Sequence, residues 1–384
     1  MKLKCRPEDF RVEERLDLRT RRHGRYSIYR LEKRGWNTLD VMRELRKRHG
    51  LRQLGRAGLK DRHSLSVQYL SATGKGPAFV SGKGYHLRLV GMRDEPIRPG
   101  MLTGNRFTIT LRSLTSDEAK LVAKAFPTVT RDGLPNYYDE QRFGSARHGK
   151  GFVAKRLVRG HNNGALRLWL ATPSAADDSR TRSRKTNLER VWGDWARCQE
   201  YADPEGAPVF RHLLQHPRDY KGAVQRIPRE IVELFVNAYQ AWLWNETLAS
   251  VVERSVGATV RRRYLLGSFV FPGAPAAGEV RYLRKLSIPV PGPGARFTSD
   301  RVAACMASVL AREGVELGGL KTKVRLNGGR FKPIRRPALV RPIRADHSKP
   351  ANDEMHSGRL RMTLSFFLPS GSYATLIVKR LMLG

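Results

Sequence analysis

Cysteine, acid and long apolar runs are all scarce in this sequence, and each scarcity excludes something. Its three cysteines, Cys5, Cys198 and Cys305, lie far apart in the chain. They provide neither a disulfide framework nor the paired spacing of a zinc ribbon. No apolar run approaches the roughly 18 residues of a membrane span. The opening MKLKCRPEDF lacks the apolar segment of a secretory signal. The expectation is a soluble, cytoplasmic protein with no membrane partner. Acid is outnumbered: 35 Asp and Glu stand against 72 Lys and Arg, a formal net charge of +37. Self-repulsion at that charge works against a compact state, so a polyanionic partner is expected, with nucleic acid the leading class.

The common cofactor and nucleophile signatures are also missing. His212 and His216 have the spacing of one helical turn, but Leu213 stands where an HExxH zinc site needs glutamate. Gly-Lys-Gly at 74–76 and at 82–84 lacks the spacing of a phosphate-binding loop. No GxGxxG opens a βαβ unit and no GxSxG elbow is present. No metal or redox cofactor is expected. No internal repeat of roughly 20–50 residues is apparent.

What is present suits a mixed fold. The chain has 384 residues, 40% of them hydrophobic, enough for two domains or for one domain with a large insertion. Such a chain can bury its core without staples. Alternation predicts strands at Phe10–Glu14, Tyr26–Leu31, Val67–Ser71, Phe107–Leu111 and Met362–Leu368. Helices are predicted from Asn37 or Thr38 to Gly50, from Ser116, and from Tyr373 to Leu381. The first of these should bury Leu39, Val41, Met42 and Leu45. Gly133–Gly151 reads as loop and Pro173–Lys185 as an exposed linker. Pro228–Glu253 is the longest helix candidate, with Ile231, Leu234, Phe235, Ala238, Trp242 and Ala249 as its apolar stripe. From Gly318 to Ala345 there are nine Lys and Arg and no acid, an irregular basic stretch that reads as an RNA-facing surface.

One segment carries chemistry: Ala57-Gly58-Leu59-Lys60-Asp61-Arg62-His63. Positive neighbours favour the ionised form of a carboxylate. An ionised carboxylate can serve as a nucleophile, as in glycoside cleavage. Composition alone would also allow a solvated turn with charges of both signs.

The motif order around that segment resembles the TruD family of pseudouridine synthases, almost end to end. Lys4-Cys5-Arg6-Pro7-Glu8-Asp9-Phe10-Arg11-Val12-Glu13-Glu14 is similar to the family's opening K-x-x-P-E-D-F-x-V-x-E. Asn37-Thr38, Ala57–Arg62 with Gln68, and Gly104-Asn105-Arg106-Phe107 follow in family order. Next come Pro135-Asn136-Tyr137-Tyr138 with Gln141-Arg142-Phe143-Gly144, then the closing Leu368-Pro369-Ser370-Gly371-Ser372-Tyr373-Ala374-Thr375.

The resemblance implies an α+β fold. A catalytic domain with a mixed, mostly antiparallel sheet flanked by helices would span 1–132 and 341–384. A large α/β insertion domain would span 133–340, and the two would enclose a basic cleft. It also implies roles. Asp61 would be the catalytic aspartate, Lys4 its basic partner with Glu8 nearby, and Phe107 the aromatic that stacks on the target base. Asn105 would help hold the Asp61 loop, and Tyr373 would pack near the base. Lys60, Arg62, Asn136, Gln141 and Arg142 would complete the RNA-binding set. The implied reaction breaks N1–C1′ of uridine, turns the free uracil and rejoins it at C5. Attack at C1′ and proton removal from C2′ both remain open. The target nucleotide must leave its stack to reach the aspartate. The implied partner is RNA, transfer RNA first and its uridine 13 in particular, with no guide RNA or obligate protein partner. Two rivals share the charge, a non-catalytic RNA-binding or chaperone protein and a ribosome-associated structural protein. A synthase acting on another RNA is a third alternative.

Overall fold

The computed structural model describes residues 1–146, 148–326 and 328–383. The chain divides into two compact units, Met1–Leu134 with Val340–Gly384, and Pro135–Leu339.

The first unit is built on a 10-stranded sheet. Its strands are β1 (Phe10–Leu16), β2 (Tyr26–Arg34), β3 (Gly55–Arg56), β4 (Leu65–Thr73), β5 (Phe79–Gly82), β6 (Tyr85–Arg93), β7 (Leu102–Leu114), β8 (Ile343–His347), β9 (Ala351–Asn352) and β10 (Leu360–Pro369). The order is β8-β10-β7-β1-β4-β2-β6-β5, with β9 on β10 and β3 on β4. Only the central β1–β4 pair is parallel among the described ladders of this sheet. Alternation buries one face: Phe10 and Val12 on β1, Phe107, Ile109 and Leu111 on β7, and Met362, Leu364, Phe366 and Leu368 on β10.

Three helices belong to this unit: α1 (Thr38–His49), α2 (Ser116–Asp132) and α3 (Ala374–Leu381). Helix α1 buries Val41, Met42 and Leu45 against Tyr29, Leu31, Leu70 and Leu87. Leu39, expected on that face, is 47% exposed, because it lies beyond the Met42 edge of the stripe, on the side away from Val41 and Leu45. Gly50 ends α1 at φ +64, a left-handed cap that costs glycine little. Thr115 and Glu118 close a capping box at the start of α2.

The second unit centres on the predicted long helix, Arg229–Glu253. Its burial is broader than the predicted stripe. Val232, Val236, Tyr239, Leu243, Trp244, Leu248 and Val251 are all inside, whereas Leu234 is 56% exposed. Strands here occur as short two-stranded pieces, such as Thr259–Tyr264 with Gly267–Pro272. The expected linker 173–185 instead enters a helix, Ser179–Arg190. Asp178 accepts from the Thr181 N–H and Lys185 pairs with Asp177. With Leu188 the one buried residue of that helix, no apolar stripe marks it in the sequence. The expected loop 133–151 contains a short 3-10 turn, Glu140–Ala146.

Candidate active site

Asp61 sits in the irregular loop between β3 and β4, with its side chain 61% exposed. Three side chains hold the backbone of that loop, and a buried ion pair anchors the Lys60 side chain beside them. Lys33, at the end of β2, is 1% exposed. Its ammonium donates to the carbonyl oxygens of Trp36 at 2.7 Å, Lys60 at 3.2 Å and Asp61 at 3.0 Å. Ser64 Oγ donates to the Asp61 carbonyl as well, at 3.1 Å. Thr38 Oγ1 accepts from the Lys60 N–H at 2.9 Å and donates to Gln68 Oε1 at 2.9 Å. Lys60 Nζ and Glu14 Oε1 form a buried ion pair at 2.7 Å, and Glu14 Oε2 also accepts from the Tyr69 N–H. Gly58 permits this approach, since a Cβ there would come within 2.8 Å of Glu14 Oε1 and 3.2 Å of Lys60 Nζ.

Burial pushes the Lys33 ammonium down to about 8, against the opposing pull of the Asp61 carboxylate. A lysine buried among carbonyls without a carboxylate in contact is costly. Its place here is explained by the three acceptors that it alone joins.

The N-terminal segment reaches the same loop. Lys4 Nζ lies 3.8 Å from Asp61 Oδ2 and 4.5 Å from the centroid of the Phe10 ring. Lys4 holds φ +55, a left-handed conformation that a non-glycine residue adopts at a cost. Such strain persists where surrounding contacts over-determine the backbone. Two supply it here. Residue 2 exchanges backbone hydrogen bonds with Arg112, and a 3-10 turn at Pro7–Asp9 follows. Phe10 meets Phe107 edge to face at 6.1 Å, and Phe107 leans on Phe366 at 5.8 Å. Asp61, Lys4, Phe10 and Phe107 thus form one connected constellation. Phe107 is only 7% exposed, so it lies in the floor.

Asn105 precedes Phe107 on the same face, between Glu14 on β1 and Leu368 on β10. Among the described residues no hydrogen bond joins it to the Asp61 loop. Its Oδ1 is buried and unpaired, as are Gln68 Nε2 and Ser372 Oγ. The segment carrying Tyr373 docks at this end of the sheet, where the Ser370 N–H donates to the Thr103 carbonyl. Tyr373 itself is half-buried at the start of α3.

The remaining predicted residues divide. Glu8 pairs with Arg34 at 2.9 Å, not with Lys4. Arg62 Nε donates to the Gly35 carbonyl and stays exposed. Lys60 turns inward to Glu14, so its ammonium is not presented to a ligand. Asn136, Gln141 and Arg142 belong to the second unit. Asn136 is buried there and accepts from Arg336 through its backbone and side-chain oxygens, while Gln141 and Arg142 are exposed. Arg336 also lies over the Tyr138 and Trp244 rings. It is therefore a core residue, although it belongs to the basic stretch read as RNA-facing.

Sequence reasoning gave no role to Lys33, Glu14 or Ser64. A signal existed for the first two. Tyr29, Leu31 and Lys33 share one face of β2, and Phe10, Val12 and Glu14 one face of β1. A charge that continues an apolar face is a buried charge.

Known proteins resemble the chain over most of its length. The family model described as tRNA pseudouridine synthase D (TruD) matches residues 1–265 and 280–381. The chain is 30% identical over 390 residues to "Probable tRNA pseudouridine synthase D 1" of Methanococcus maripaludis, covering 99% of each chain. It is 29% identical over 404 residues to the tRNA pseudouridine synthase D of Leptospira interrogans, covering 99% of this chain and 96% of that one. The crystal structure from Methanosarcina mazei that carries the same name superposes with a TM-score of 0.75 at 25% identity, over 99% of this chain and 93% of that one. The chain belongs to the tRNA pseudouridine synthase D (TruD) family.

Proposed function

We propose that this protein isomerises uridine to pseudouridine in transfer RNA, at position 13, with Asp61 acting on the sugar of a flipped-out nucleotide. The observation that carries the reading is the Lys4–Asp61 pair above the Phe10–Phe107 floor, on a loop whose backbone is held by three side chains and whose Lys60 is anchored by an ion pair. Isomerisation needs a carboxylate held in one place beside C1′, a flat apolar surface for the free uracil while it turns, and exclusion of competing reactions. Asp61 is the carboxylate, with Lys4 orienting it. Phe107 packs against the base as a floor, and Tyr373 closes the near side. Asn105 Oδ1, buried and unpaired among the described residues, is an acceptor for the uracil N3–H once the base enters beside Phe107. Residues 1–132 and 341–384 supply the chemistry, and residues 133–340 form an insertion domain that binds RNA through exposed groups such as Gln141 and Arg142.

The substrate claim is tested by incubating the protein with unmodified transfer RNA and mapping pseudouridine by carbodiimide modification and primer extension. A new stop at position 13 supports it. A stop only elsewhere would move the target while keeping the reaction.

Lys33 supplies a second test. Lys33→Met removes the donor shared by three carbonyls and frees the Asp61 backbone. Misplacement of a reacting group by about 1 Å costs on the order of 100-fold, so kcat should fall by roughly 10- to 100-fold while KM for transfer RNA holds. The unmutated protein should also lose kcat as pH rises through about 8, where the Lys33 ammonium gives up its proton. Stability runs the other way. Between that value and the unfolded lysine range, the unfolded chain binds the proton and the folded one does not, so folding gains as pH rises. A Lys33→Met enzyme with normal kcat and an unchanged alkaline limb would show that the three-carbonyl contact has no part in catalysis.

A further inference from the structure

The sheet of the first unit has a second face. Along β10, Thr363, Ser365 and Phe367 alternate with the buried Met362, Leu364, Phe366 and Leu368, and so point away from α2 and α3. On β7, Arg106 alternates with Phe107 in the same way. The ladders place Ile343, Phe367, Arg106 and Glu13 in one row across β8, β10, β7 and β1. A slot of about 260 Å³ opens over that row, lined by Arg15, Thr103, Arg106, Ile343, Arg344 and Phe367.

Three features give the slot a chemistry. First, its charge is poorly compensated. Glu13, the acid of the row, is engaged by Arg11 at 2.7 Å and by Arg15 at 3.7 Å. Neither Arg106 nor Arg344 has a carboxylate within ion-pair distance among the described residues. Second, its floor is flat. The Phe367 ring lies over Gly104, where any Cβ would overlap it. Third, Arg344 is aimed by a distorted backbone. It holds φ +50 at a register shift between Ile343 and Asp346, and a bulge of this kind re-aims side chains.

We propose that this slot is a nucleotide-binding subsite for the RNA substrate, separate from the Asp61 site. A single unstacked base lies on Phe367, and Arg106 and Arg344 hold the phosphates on either side of it. Guanidinium groups beside an aromatic platform are what sequence-tolerant recognition of single-stranded nucleotides requires. Because Phe367 and Phe107 occupy opposite faces, the subsite anchors a different nucleotide from the one that reacts. The proposal rests on the reading that the substrate is RNA but not on the role of Asp61.

The test is equilibrium binding of an unmodified transfer RNA transcript across a range of salt concentrations. Any cation lost from a chain of +37 weakens RNA binding, so Arg46→Ala, on the exposed side of α1, sets the general charge effect. Phe367→Leu changes no charge. Loss of one base stack should weaken binding by about 5-fold or more and leave the salt dependence unchanged. Arg106→Gln and Arg344→Gly should each weaken binding beyond Arg46→Ala and reduce the log–log salt slope by about 1. Glycine is at ease at φ +50, so Arg344→Gly keeps the fold. The KM for transfer RNA should rise in these variants and kcat at saturation should hold. Phe367→Leu binding as tightly as the unmutated chain would overturn the proposal, and so would arginine variants no worse than Arg46→Ala. Because binding is measured without turnover, weakened binding in Phe367→Leu would stand even if Asp61→Asn remained active.

Discussion

Arg112→Met should lower the unfolding free energy by about 3–5 kcal/mol, the cost of stranding buried acids that have lost their partner. For a unit of this size that is on the order of 10 °C in melting temperature. Arg112 is fully buried on β7. Its Nε donates to both carboxylate oxygens of Asp9 at 2.9 Å, Nη1 to Asp353 at 2.8 Å and Nη2 to Glu354 at 3.0 Å. Asp353 also accepts from the N–H groups of Ser113 and Met355 and pairs with His356. One guanidinium therefore ties the N-terminal turn, which follows Lys4, to β7 and to the 353–356 turn. Burial raises the Asp353 carboxyl, but the backbone N–H donors, His356 and Arg112 outweigh it and hold the group below its usual range. Arg112 holds Glu354 down to about 2.

The sign of the pH dependence follows. A carboxyl with a lowered folded-state pKa contributes stability above the unfolded range, near pH 4, and loses it as pH falls through the folded value. The unmutated protein should therefore lose stability below about pH 4. In Arg112→Met, Asp353 keeps its burial and loses its guanidinium, so protonation relieves it. The gap between the two proteins should narrow on acidification. Urea unfolding at neutral and acid pH measures both effects. A gap below about 1 kcal/mol, the worth of an exposed ion pair, or one that does not change with pH, would contradict the account.

This network shows why parts of the molecule cannot be read from the chain. Arg112 follows Leu111 on an alternating strand, and its parity should turn it outward. Ser113 stands at φ +55, and the ladder slips there, with Leu114 and Leu111 opposing Leu360 and Met362. Arg112 is buried all the same, enclosed by the N-terminal turn and the 353–356 turn that its guanidinium joins. Its partners lie 103 to 242 residues away, beyond any local pattern. The same holds for Arg336 in the second unit, whose cation is absorbed by Asn136 and two aromatic rings. A basic run in a sequence does not distinguish a solvent-facing guanidinium from one that staples a core.

The elements that alternation and capping predicted are present: strands around Phe10, Tyr26, Val67, Phe107 and Met362, and helices opening at Thr38, Ser116 and Ala374. Their signals are local, which is why they were legible. The site was legible in part. Asp61, Lys4 and Phe107 were named by motif, and the structure joins them through Phe10. Among the described residues Asn105 makes no hydrogen bond to the Asp61 loop. Lys33, Thr38 and the Lys60–Glu14 pair hold that loop instead, contacts that only strand order brings within reach.

Release of tritium from transfer RNA labelled at C5 of uridine, measured for the unmutated protein and for Asp61→Asn, reads the role of Asp61 in isomerisation. Forming the new C5–C1′ bond expels the C5 hydrogen, so release reports the isomerisation itself. Asparagine keeps the volume of the side chain and removes its charge. The unmutated protein should release tritium and Asp61→Asn should lose at least ~1,000-fold of that rate, the scale seen when a covalent nucleophile is removed, with RNA affinity unchanged. Asp61→Asn turning over near the normal rate would contradict it.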